Sequence, residues 1–87
     1  MDWHKHQQKV AKQFGGIVNA KSKGADVIQG SKYIIECKLR EKSFNLTPHI
    51  WEKIYWQAMR AGKEPLIAVK IGDYELGIVE LSSLEEE

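Results

Sequence analysis

Hydrophobic spacing switches between a helical and a strand-like period along this chain, and the switches divide it into seven elements. Trp3, Gln7, Val10 and Phe14 fall on about one face at roughly 100° per residue, with Lys5, Lys9 and Lys12 on the other. This predicts a helix over residues 2–14, stopped by Gly15-Gly16. Gly16 to Ala20 reads as a short strand, followed by the polar turn Lys21-Ser22-Lys23-Gly24. Residues 26–38 read as two strands joined at Gly30-Ser31, with β-branched and aromatic flanks (Val27, Ile28, Tyr33, Ile34, Ile35). A loop follows, and Thr47-Pro48 begins a second helix with Thr as N-cap and Pro at the first helical position. Its buried stripe is Trp51, Ile54, Tyr55 and Ala58, with Ile50 beside them, and Gly62 ends it. The apolar run Leu66, Ile67, Ala68, Val69, Ile71 predicts a well-buried strand, and Gly72-Asp73 turns the chain into a last strand over 74–79. Residues 81–87 form a short acidic end with a frayed helical turn.

The strand around Glu36 breaks its own pattern. Alternation puts Glu36 and Lys38 on one face and Ile35, Cys37 and Leu39 on the other. An acid and a base at the centre of a buried strand require a reason. A two-residue loop at Gly30-Ser31 would set Asp26 opposite Ile35 and turn its carboxylate to the apolar face. A turn of odd length would instead set Asp26 opposite Glu36 and Val27 opposite Ile35, gathering apolar residues on one side and acids on the other. Opposed carboxylates with Cβ atoms roughly 4.5–5.5 Å apart repel, and a hard divalent cation held by both removes the repulsion. The expectation is therefore an odd turn and a metal between Asp26 and Glu36.

Asp26 followed by Glu36-Cys37-Lys38 resembles the Asp…Glu-x-Lys signature of the PD-(D/E)xK nuclease superfamily. The predicted order is similar to the αβββαβ core of that superfamily over residues 7–71. The resemblance implies an α/β, restriction-endonuclease-like fold: a single domain over 1–87, its central mixed sheet flanked by helices. It also implies Mg²⁺ (or Mn²⁺) held by Asp26, Glu36 and the carbonyl of Cys37, with Lys38 orienting or activating the attacking water. The first helix of the superfamily offers a glutamate to the metal; the matching position here is Gln7, a neutral and poorer ligand, or a half-buried amide bonded to backbone. Gln57 matches a glutamine that the superfamily places on the second helix near the active site. Ser22 falls where several Holliday junction resolvases carry a serine, and Gly62 to Lys70 is similar to the helix-to-strand passage of archaeal-type resolvases.

Charge adds a partner to this picture. Residues 1–64 carry a net +6 and residues 65–87 a net −5, which suits a polyanion held at one face. Lys21, Lys23, Arg40, Lys42, Lys53 and Arg60 are candidate phosphate contacts. Trp56 lies opposite the buried stripe between Lys53 and Arg60, as a dimer contact or as a platform for an unpaired base. A single cysteine excludes an internal disulfide, no apolar run reaches membrane-spanning length and no leader pattern is present. The expected setting is the cytoplasm of a bacterial, archaeal or phage-infected cell. Cys37 reads as a small buried apolar side chain. His4, His6 and His49 read as surface histidines, because His4 and His6 diverge on a helix.

Two functions follow. The first is a metal-dependent endonuclease cutting branched DNA such as Holliday junctions, as a homodimer because a chain this short holds one site. The alternative is a catalytically weak or inactive nucleic-acid-binding module of the same fold.

Overall fold

The computed structural model describes residues 3–18 and 27–84. Its elements are α1 (Trp3–Gln13), β1 (Ile17–Val18), β2 (Val27–Gln29), β3 (Tyr33–Arg40), α2 (Pro48–Ala61), β4 (Glu64–Ile71) and β5 (Tyr74–Ile78), followed by a short 3₁₀ turn (Leu81–Ser83). The strands form one mixed sheet in the order β1-β2-β3-β4-β5. Only β3 and β4 are parallel, because α2 carries the chain back between them; every other neighbouring pair is antiparallel.

Local chemistry sets the ends of α2. Thr47 Oγ1 accepts from the Ile50 N–H at 3.2 Å, and Pro48 occupies the first turn, where its missing N–H costs nothing. At the other end Gly62 takes φ 66° and donates to the Met59 carbonyl at 3.2 Å. Two apolar layers result. Val10 and Ala11 of α1 pack on Ile28, Ile35, Cys37, Leu66 and Ala68. On the other face Ile54 and Ala58 of α2 pack on Ile34 and Ile67. Each fully buried isoleucine contributes about 1.5–3 kcal/mol relative to an exposed one.

Covering both faces overturns one expectation. The β2–β3 register pairs Val27 with Glu36, Ile28 with Ile35 and Gln29 with Ile34. The Gly30 N–H donates to the Tyr33 carbonyl at 2.8 Å, closing a two-residue loop at Ser31-Lys32. The turn is therefore even, and Val27 rather than Asp26 stands across from Glu36. An odd turn would follow from one dry face and one wet one. Here Ile28 packs into the α1 layer and Val27 into the α2 layer, so apolar spacing does not choose between registers and the turn decides.

A second correction concerns His6. It is buried rather than at the surface, with its Nε2 3.3 Å from the Ala68 carbonyl. His6 lies one turn before Val10 on the face that meets β4, so of the diverging pair His4 and His6 it is His6 that turns inward.

Candidate functional site

Glu36 sits at the middle of β3, the central strand, with only 3% of its surface exposed. Its neighbours Ile35 and Cys37 belong to the α1 layer, so alternation points Glu36 into the α2 layer. There its Oε1 lies 3.9 Å from Lys53 Nζ, on α2. Its Oε2 is sealed from solvent and has no hydrogen-bond partner. An unsatisfied buried acceptor costs about 1–3 kcal/mol, and more when it carries charge. A lysine at 3.9 Å with a side chain 65% exposed offsets little of that.

The same face gathers more of the expected residues. Lys38, two positions along β3, is half-buried and starts from the same face as Glu36, and Arg40 continues that row to the end of the strand. Arg40 lies over the Phe44 ring, 5.7 Å from its centroid, and Nη1 donates to the Leu39 carbonyl at 2.8 Å. Gln57 follows Lys53 by one turn on α2 and is half-buried on the same flank. Glu36, Lys38, Lys53, Gln57 and Arg40 thus share one side of the sheet.

Other expected residues are not drawn together. Gln7 is buried, but it belongs to α1, which covers the opposite face. Lys42 is exposed in the loop beyond β3. Arg60 is exposed in the last turn of α2, and α2 runs back along the sheet, so Arg60 lies toward the start of β3 rather than near Arg40. Lys21, Ser22, Lys23 and Asp26 lie outside the described residues. Trp56 is 59% exposed, as expected, with its ring edge-to-face on Tyr55 at 5.3 Å.

Residues outside the ladder partners also bear on a ligand. The Lys32 carbonyl accepts from Glu64 and the Arg40 carbonyl from Gly72, so the even-numbered residues of β3 bond toward β4. The odd ones bond toward β2, as the Tyr33 carbonyl does. The Cys37 carbonyl accordingly points to the β2 side, one pair beyond Val27, the first residue of that strand. Among the described residues no three His, Cys, Asp or Glu side chains converge as a metal site would require. What remains for a cation among the described side chains is narrower: the unpartnered Glu36 oxygen, while the Cys37 carbonyl leaves the strand in the plane of the sheet. Lys53 was expected as a phosphate contact, and its position opposite Glu36 is a second role that the sequence did not reveal.

Among the described residues no helix is long and apolar enough to cross a membrane. Comparison with family models, with curated proteins and with solved structures produced no match.

Proposed function

We propose that this protein is a metal-dependent endonuclease that hydrolyses phosphodiester bonds in branched DNA such as Holliday junctions. The observation that carries the reading is the buried Glu36 carboxylate, one oxygen unpartnered, with Lys38 on the same face of the central strand. A structural role would have cost less with a leucine or valine at that position. The element order, with helices on both faces of a mixed sheet, is also what a restriction-endonuclease-like fold would have.

In this reading Glu36 and the Cys37 carbonyl hold Mg²⁺ or Mn²⁺; the even register removes the pairing that would have brought Asp26 to them. When bound, the cation supplies a more acidic water and stabilises the extra negative charge on the phosphate oxygens. Lys38 orients that water or compensates the developing charge. Lys53 and Arg40 hold phosphates, and Gln57 donates to a neighbouring phosphate or to the water. Lys53 serves first as a counter-ion to Glu36 and is drawn toward a phosphate when DNA arrives.

The test is cleavage of a labelled four-way junction and of a linear duplex of equal length, with Mg²⁺ or Mn²⁺ titrated. Junction cleavage that Lys38→Ala abolishes supports the reading. Tight, salt-dependent junction binding without cleavage would favour the binding module instead. That alternative rests on the even turn, which sets an apolar Val27 across from Glu36.

A further inference from the structure

The edge of the sheet at β5 carries its own signal. Even-numbered residues of β4 bond toward β3, so the ladder with β5 runs through Ile67–Ile78, Val69–Leu76 and Ile71–Tyr74. The N–H and C=O groups of Glu75 and Gly77 therefore point to the open edge. Among the described residues no strand pairs with that side. Exposed edges are normally blunted by charged side chains, above all lysine, by proline, by a bulge or by extreme shortness. β5 is five residues long with no lysine, proline or bulge; its one charge, Glu75, is held by Lys9 on the α1 face, and Tyr74 and Leu76 stand 73% and 51% exposed beside its open side. Both lie on the α2 face. Because Lys53 reaches toward Glu36 on β3, the opposite flank of α2, with Tyr55 and the 46% exposed Met59, looks toward β5.

We infer that β5 pairs antiparallel with β5 of a second copy, about a two-fold axis through Leu76, to make one continuous ten-stranded sheet. The side-chain pattern suits this occupant, and charge together with full pairing of β5 sets the register. With Leu76 opposite Leu76 of the second copy, Glu75 meets Gly77, Tyr74 meets Ile78, and no two acids are opposed. Every residue of β5 is paired, and the outward groups of Glu75 and Gly77 satisfy one another. Gly77 opposes the incoming Glu75 stem with no side chain of its own, and the Glu75 carboxylate already bonds Lys9 Nζ at 2.6 Å. Sliding by one pair toward the hairpin would oppose Glu75 to itself, which like-charge repulsion disfavours. Tyr74 and Leu76 of both copies then close over the axis, between the Tyr55 and Met59 flanks. The axis is perpendicular to the sheet, so both Glu36 residues face the same side. Five strand spacings separate them across the sheet, about 24 Å, and four residues along it, about 13 Å, giving about 27 Å before twist. The pairing itself does not depend on the chemistry proposed at Glu36.

Sedimentation and cysteine trapping of the full chain test this without DNA or metal. In the expected register the two Leu76 residues form a non-hydrogen-bonded pair with Cα atoms about 4.5 Å apart, within disulfide reach. Leu76→Cys should therefore cross-link to a dimer under mild oxidant. Tyr74→Cys, and the wild type with its buried Cys37, should not. Leu76→Arg should weaken self-association on the order of 100-fold by placing two cations at the axis, with the far-ultraviolet spectrum unchanged because the residue is half exposed. A wild type that stays monomeric at the highest attainable concentration overturns the inference. So does a dimer that Leu76→Cys fails to trap.

Discussion

On the α1 face of the sheet an imidazole is buried, and on the α2 face a carboxylate. His6 keeps one nitrogen on the Ala68 carbonyl and leaves Nδ1 unpartnered. The cost there is that of one unmade hydrogen bond. Glu36 is as deeply buried, meets a distant lysine through Oε1 and, among the described residues, leaves Oε2 unpartnered. Glu64 also has an unpartnered oxygen, but its side chain is 43% exposed and near Lys32. The contrast separates a polar group that packing tolerates from one that packing alone does not explain. Stability is what the α1 face supplies; the α2 face sacrifices some of it at Glu36.

Glu36→Gln breaks the comparison most sharply. Junction cleavage should fall on the order of 10³-fold, the scale on which removing one electrostatic stabiliser from an active site acts, while denaturant unfolding shows no loss of stability. A large loss of stability with cleavage retained would make Glu36 structural. Next is Ile35→Ala, directly behind Glu36 in the α1 layer and fully buried. It should cost about 2–5 kcal/mol in urea unfolding. Lys53→Met should change stability by no more than about 1 kcal/mol, since the pair is long and half solvated. It should also reduce the salt dependence of junction binding by roughly one phosphate contact. Smallest is the Lys9–Glu75 pair on the α1 side. The hydrogen bond from Lys9 lowers the Glu75 pKa, with the Lys9 charge adding to it. A carboxylate with a lowered folded pKa stabilises above its unfolded pKa, and that contribution disappears as pH falls through the folded value. Thermal unfolding of wild type and Lys9→Met should therefore differ at neutral pH and converge in acid. A constant difference would contradict the pair.

The order of elements was legible because each boundary has local chemistry: Thr47-Pro48 and Gly62 around α2, and the continuous apolar run of β4. Glu36 was legible too, as an acid inside an apolar strand. The β2–β3 register was not. Period-two reasoning picks a register only when one face is wet, and Val27 and Ile28 both find apolar surroundings. The pairing of Lys53 with Glu36 was hidden for another reason. It depends on how α2 lies across the sheet, and spacing within the helix does not contain that angle.

The claim at the centre is that Glu36 keeps an oxygen for a cation. Calorimetric titration of Mn²⁺ into the wild type and into Glu36→Gln, without DNA, tests it most directly. The account predicts a saturable heat in the wild type that the Gln variant loses, with both proteins folded. Equal binding by the two proteins, or none by the wild type, would contradict it.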